Sequence, residues 1–186
     1  SLPKDIPLVV EPGDALFTED LKKAYYKVLI AKKSRRFQCF FWKGVYYEAA
    51  VLLFGFCQAP FVFTKICRPI VRFLGALLVK LLNYIDDWFF SDKPERLAEL
   101  QFLVHRVLGL LGWLLNDKGE GPALAVKFLG VSVDALAREF RIPEAKKAKT
   151  VRLLDCVLEA ASRNELVSSK QLASLAGTIS SLRLVI

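Results

Sequence analysis

The stretch NYIDDWFF, residues 83–90, constrains the fold more than any other part of this chain. Five of its eight residues are aromatic or aliphatic, yet Asp86 and Asp87 stand side by side in the middle. Two adjacent carboxylates inside an apolar run are costly to bury without a compensating partner. The pattern predicts two short strands over LNYIDDWFFS that turn at the aspartates. Aspartate is also a common turn residue, so the pair alone is more often an ordinary turn than a metal site.

The flanking sequence supplies the other elements. Residues 1–13 carry three prolines and a glycine and read as an extended lead-in. DALFTED reads as a short strand, and LKKAYYKVLI as a helical turn running into another strand. RRFQCFFW and VYYEAAVLLF, either side of Lys43-Gly44, read as a hairpin. Residues 58–81 are apolar with helical periodicity; Pro60 suits the first turn, and Pro69 is expected to kink the helix or remove one hydrogen bond. A helix is expected from Pro94 to about Gly112, with Ala98, Phe102, His105 or Arg106, and Gly109 on successive turns. GWLLNDKGEGPALAVKFLGVSVD reads as strand, loop, strand, and REFRIP as a further strand. EAKKAKTVRLLDCVLEAASR reads as an amphipathic helix with Ala148, Val151, Leu154 or Leu153, and Leu158 inward, and Lys146, Lys147, Lys149 and Arg152 outward. Ser168 or Ser169 opens a last helix carrying Leu172, Leu175, Ala176, Ile179 and Leu182 on one face. Strands and helices mixed with hairpins point to an α+β fold.

Composition narrows the function classes. The chain of 186 residues is 54% hydrophobic with mean hydropathy +0.34, which favours a packed core over disorder. A net charge of +8 suits an anionic partner, nucleic acid being the commonest, or a solvated lysine-rich surface. Four cysteines without a CxxC pair and a single histidine, His105, argue against a structural zinc site and against Ser-His-Asp or Cys-His catalysis. His105 lies in an apolar run and is expected to be packed. Free thiols point to the nucleus or cytosol. The most apolar window, 70–90, is interrupted by Arg72, Lys80 and the two aspartates, so no membrane span is expected.

A third acid, Asp20, ends the strand DALFTED. If that strand neighbours the 83–90 hairpin in one antiparallel sheet, three carboxylates converge at one edge. Such charges raise one another's pKa, and a divalent cation relieves the repulsion. Mg²⁺ suits hard oxygen donors and is held by one or two carboxylates plus substrate phosphates. A pair of such ions stabilises the attacking and leaving oxygens of an in-line phosphoryl or nucleotidyl transfer.

Five segments in order resemble the palm of a reverse transcriptase: DLKKAYYKVLI from Asp20, LLFGFCQAPFVFTKICRPI, YIDD at 84–87, LGWLLNDKGEG, and KFLGVSVD. Together they span about residues 17–134. The tail, from RIPEAKKAKT onward, resembles the connection of long-terminal-repeat or DIRS-like retroelements. The resemblance implies a polymerase palm with an antiparallel sheet packed on helices over 1–142, with remnant fingers strands at about 28–52. A helical thumb or connection would occupy 143–186, and the fingers are largely absent. It implies RNA-directed DNA polymerase activity with two Mg²⁺ ions, Mn²⁺ as a substitute, dNTP as substrate and an RNA or DNA template with a primer.

The same resemblance assigns residues. Asp20 and Asp86 would ligate metal, with Asp87 supporting the site. Tyr25 matches the ribose-facing aromatic, Phe54 and Gly55 would lie beneath the nascent base pair, Gln58 opens a helix facing substrate phosphates, and Lys118 matches a lysine acting on the pyrophosphate. Leu129 and Gly130 would support the primer end. Lys146, Lys147, Lys149 and Arg152 would follow a nucleic-acid backbone. Core aromatics, helix starts and solvated lysines explain these residues as well. Two departures stand out. Leu53 replaces a usual proline. Glu19 replaces a usual buried apolar residue, so its charge points to solvent or marks a decayed or repurposed site. A catalytically inactive module that binds nucleic acid or protein is the alternative, and apolar surface left by missing fingers is expected to be covered by a second copy or another chain.

Overall fold

The computed structural model describes residues 3–163 and 165–180; Leu182 lies outside them. A three-stranded antiparallel sheet, in the order β1-β5-β4, forms the centre. Its strands are β1 (Ala15–Asp20), β4 (Lys80–Tyr84) and β5 (Asp87–Asp92). β5 lies in the middle and is buried on both faces, which is why WFFS reads as a continuous run rather than an alternating one.

Alternation nevertheless divides the two faces. Phe17, Trp88 and Phe90 belong to the cluster packed under two helices, and Phe17 stacks on Phe90 with centroids 4.6 Å apart. Leu16, Leu82 and Phe89 belong to a second cluster beneath a small sheet on the other side. That sheet is built from β6 (Ala125–Phe128), β7 (Val131–Asp134) and β8 (Glu139–Arg141).

The helices are α2 (Ala59–Ala76) and α3 (Pro94–Leu110). α2 buries Ala59, Phe63, Cys67, Ile70 and Leu74, and α3 buries Leu97, Leu100, Val104 and Leu108. Both sets are spaced by three or four residues, which gives one apolar stripe per helix. Pro69 sits inside α2 without ending it. Ala98, Phe102, His105 and Arg106 occupy the exposed side of α3. The two helices end differently. α3 closes on Gly112 at φ +80°, whereas α2 turns on Leu78 at φ +61°, an exposed leucine in a backbone region that glycine prefers.

Before α2, a four-residue helix α1 (Lys32–Arg35) leads into a hairpin of β2 (Cys39–Trp42) and β3 (Val45–Glu48). Lys43 and Gly44 both have positive φ, the requirement of a two-residue type I′ turn. The expected strand after the 24–27 turn reduces to an isolated bridge, Leu29 to Val51, and that in GWLL to a bridge from Leu115 to Leu21.

The chain ends in α4 (Glu144–Ser162) and α5 (Ser169–Ser180), which pack on each other. α4 has no buried residue. The sequence placed Ala148, Val151 and Leu158 inward, but these are exposed; the half-buried stripe is Lys146, Thr150, Leu153, Val157 and Ala160. Leu153, Val157 and Ala160 are the apolar part of that stripe, so the helix is turned away from the expected face, though not from all its apolar residues.

Candidate active site

Asp20 is the last residue of β1 and Asp87 the first of β5, and the two are direct partners in the antiparallel register. Directly opposed residues share a face of the sheet, so both carboxylates belong to the Phe89 side. They line one cavity of about 160 Å³ with Thr18, Lys118, Glu120 and Leu129. The turn from β4 to β5 is Ile85-Asp86, closed by the Tyr84–Asp87 pair. Ile85 adopts φ +57°, a left-handed conformation that is costly for a β-branched residue. The turn is held by its surroundings. Leu21 N–H donates to the Asp86 carbonyl at 3.0 Å, and Asn83 Nδ2 donates to the Ile85 carbonyl at 2.9 Å.

The carboxylates are electrostatically coupled. Burial pushes Asp87 up to about 6, with the charges of Asp86 and Asp20 adding to the effect. Burial also raises Asp86, and Asp20 contributes in the same direction. Asp86 acts on the other side as well: its charge adds to the burial that raises the Tyr25 phenol and the Cys67 thiol. Asp87 lines the cavity shared with Asp20, while Asp86, coupled to Asp20 as well, also acts on Tyr25 and on Cys67 of α2. No described ion pair takes up any of the three acids. Uncompensated hard oxygen donors suit a divalent cation chemically. Among the described residues, however, no group of three or more His, Cys, Asp or Glu side chains is gathered closely enough to hold a metal.

Asp20 has a partner that sequence reasoning missed. Asn116 Nδ2 donates to Asp20 Oδ2 at 2.7 Å, and Asn116 N–H donates to the Asp20 carbonyl at 2.8 Å. Glu19 corrects an expectation. It does not point to solvent: it is 6% exposed, on the helix side of β1, and its Oε1 meets His105 Nε2 at 2.6 Å and accepts from Gln101 Nε2 at 3.3 Å. His105 in turn is a half-exposed partner of Glu19 rather than a packed core residue. α3 thus supplies the polar groups that let a carboxylate replace an apolar residue inside the sheet. Gly119 completes the arrangement, because a Cβ there would lie 2.6 Å from the Thr18 carbonyl and 3.1 Å from Glu19 Oε2.

The other expected residues fall into groups. Tyr25 is buried, with its ring 4.7 Å from Phe54 and 5.3 Å from Phe63. Phe54 is exposed above it, and Gly55, at φ +83°, has open space around it. Gln58 precedes α2 and is exposed, with no side-chain cap bond. Lys118 and Leu129 line the Asp20–Asp87 cavity. Leu129 and Gly130 form the β6–β7 turn, and Lys146 Nζ reaches the Gly130 carbonyl at 3.4 Å. Lys147, Lys149 and Arg152 are exposed on α4, away from the acids' cavity; Lys147 pairs with Glu144 at 3.9 Å.

Solved structures share this arrangement of elements. The foamy viral protease-reverse transcriptase in complex with an RNA/DNA hybrid matches with a TM-score of 0.71 and 19% identity over 98% of this chain. The same enzyme in complex with double-stranded DNA matches at 0.69 and 21% over 95%. The native prototype foamy virus protease-reverse transcriptase matches at 0.62 and 18% over 94%. The chain has a reverse-transcriptase-like fold. It spans 23%, 34% and 27% of the lengths of these three solved chains. No protein-family model and no curated protein sequence matches it. Within this fold no helix of the described residues is long and apolar enough to cross a membrane.

Proposed function

We propose that this chain is the palm and thumb portion of an RNA-directed DNA polymerase from a retroelement of the long-terminal-repeat or DIRS-like kind. The reaction is nucleotidyl transfer: a primer 3′-oxygen forms a bond to the α-phosphorus of a dNTP, the α–β phosphoanhydride bond breaks, and pyrophosphate leaves. The observation that carries this reading is the placement of Asp20 directly opposite Asp87 on a buried sheet, with Asp86 adjoining and no described ion pair to any of the three. Asp20 and Asp86 would hold two Mg²⁺ ions, or Mn²⁺, with Asp87 supporting the site and substrate phosphates supplying the remaining ligands. When bound, those ions supply charge neutralisation at the reacting phosphate.

The chain's own residues position the substrates. Tyr25, Phe54, Gly55 and Gln58 form the nucleotide side of the site, with Tyr25 held by Phe54 and Phe63. Lys118 lies at the acids' cavity, where a cation favours a departing pyrophosphate. Leu129 and Gly130 support the primer end, and Lys146, Lys147, Lys149 and Arg152 contact backbone phosphates. Residues 1–142 form the palm, with remnant fingers strands near 28–52, and 143–186 the thumb or connection. The setting is nuclear or cytoplasmic.

A second reading, an inactive reverse-transcriptase-like module that binds nucleic acid or protein, is favoured by the lack of a closed three-ligand group among the described residues. Primer extension on RNA and DNA templates with Mg²⁺ or Mn²⁺ separates the two. Incorporation by the wild type that Asp86→Ala abolishes supports the polymerase. No incorporation on any template, with no metal-dependent change in stability, sinks it for this chain.

A further inference from the structure

The β2–β3 hairpin stands outside the chemistry described above. Its strands pair Phe40 with Tyr47, Phe41 with Tyr46 and Trp42 with Val45. Alternation places Phe40, Trp42, Val45 and Tyr47 on one face and Phe41 and Tyr46 on the other. Every residue of both strands is exposed. On the first face, the Phe40 and Tyr47 rings stack at 5.5 Å with an interplanar angle of 16°, and Trp42 lies 6.3 Å from Tyr47. An apolar hairpin would ordinarily bury one face, so this one lacks an occupant.

Charge identifies the occupant. Residues 32–48 contain Lys32, Lys33, Arg35, Arg36 and Lys43 against the single acid Glu48, a net +4 of the chain's +8. No described ion pair takes up these five cations. Lys43 Nζ lies 4.6 Å from the Trp42 ring centroid at the turn, and the Arg36 guanidinium 4.9 Å from that of Phe37 just before β2, so cations lie against rings at both ends of the first strand. The base of the hairpin is fixed: Gln38 is buried, its Oε1 accepts from Leu53 N–H at 3.0 Å, and its carbonyl accepts from Ala49 N–H. Rings interleaved with cations on a rooted hairpin match a polymer that offers flat bases and regularly spaced phosphates. A second copy of this chain would instead bring +4 against +4.

We propose that the β2–β3 hairpin with α1 binds single-stranded nucleic acid, bases stacking on Trp42, Phe40 and Tyr47 and phosphates pairing with Lys32, Lys33, Arg36 and Lys43. Unpaired strands are required because duplex bases do not present their faces. The site acts without metal or dNTP, so it stands or falls separately from the polymerase reading.

The test uses the full chain without Mg²⁺ or dNTP and a fluorescein-labelled oligothymidylate. Trp88 and Trp113 are 0% and 9% exposed and Trp42 is 55% exposed, so quenching of tryptophan emission by the unlabelled oligonucleotide reports Trp42. The expected result is quenching by the single strand that Trp42→Phe removes. By fluorescence anisotropy, Trp42→Phe retains binding and Trp42→Ala weakens it about 5-fold or more, the loss of one stacked base. Four phosphate contacts give a slope of log affinity against log salt near −3, and Lys32→Ala with Lys33→Ala lowers its magnitude by about 1.4. Circular dichroism checks that the variants keep the fold. Absence of quenching, equal binding of the oligothymidylate–oligodeoxyadenylate duplex, or affinity unchanged by Trp42→Ala overturns the proposal. A dimer in sedimentation that Phe41→Ala with Tyr46→Ala dissolves, without oligonucleotide binding, assigns the hairpin to a second copy and also overturns it.

Discussion

Asp20 and Asp87 face each other across the β1–β5 ladder, and their shared cavity holds Lys118 but no described ion pair to either acid. A carboxylate in that position is poised for a ligand at the expense of the unliganded fold.

The first consequence is a stability that falls as pH rises. The folded state keeps Asp87 protonated up to about pH 6, whereas an unfolded chain releases that proton near 4. The folded state therefore binds more protons between these values and loses stability across that window. Asp87→Asn should match the wild type at pH 4 and exceed it at pH 7 by about 1–2 kcal/mol, a figure reduced from the full shift because the side chain is partly solvated. Urea titrations at the two pH values measure this. Equal stability at pH 7 would contradict it.

Divalent cation should reverse the same penalty. Mg²⁺ at about ten times its dissociation constant stabilises the chain by about 1.4 kcal/mol, or roughly 3–5 °C in melting temperature for a chain of this size. The shift should be present at pH 7, smaller at pH 5 where protons compete for Asp87, and reduced in Asp20→Asn and Asp87→Asn. Thermal melts with Mg²⁺, and with Na⁺ at equal ionic strength as control, decide it.

Glu19 and His105 form a coupled pair whose cost depends on which member is removed. His105→Ala leaves the buried Glu19 carboxylate with Gln101 alone and should destabilise by about 1–2 kcal/mol. Glu19→Leu removes the charge and restores an apolar residue, so its effect should stay within about 1 kcal/mol. In the Glu19→Leu background, His105→Ala should cost almost nothing. A double-mutant cycle reads the coupling directly.

Leu78 offers a test away from the site. It is exposed, and its positive φ closes α2 where glycine closes α3. Leu78→Gly should stabilise by about 1 kcal/mol because the strain is relieved and little burial is lost. A lowered melting temperature would mean that the leucine side chain makes a contact worth more than the strain.

The hairpin at 80–92 was legible because its information is local: apolar flanks, strand alternation and turn-forming aspartates all lie within a dozen residues. Its pairing with the Asp20 strand was only a condition on two strand ends until the resemblance over five motifs in order supported it. Asn116 was not legible, since it meets Asp20 from 96 residues away and nothing in the LLND run marks one asparagine as special. The Glu19–His105 contact spans 86 residues, and each residue alone read differently: the acid as a departure from the strand pattern, the histidine as a packed residue of an apolar helix. Only their meeting makes both reasonable. α4 was misread for a different reason. Amphipathic periodicity orients a helix only when another apolar surface is there to receive it, and α4 buries none of its residues.

The two-residue turn at Ile85-Asp86 also bears on how such a sequence tolerates insertions and deletions. Asp87 stands opposite Asp20, and Asp86 does not, only because the strand begins between them. One uncharged residue added to the loop would preserve the net charge and both aspartates, yet would move Asp87 off its place opposite Asp20 or push β5 out of step with β1. Point substitutions here can be graded in effect; a change in length is all or nothing. The turn acts as a ruler, and its two-residue length matters as much as the chemistry of the acids beside it.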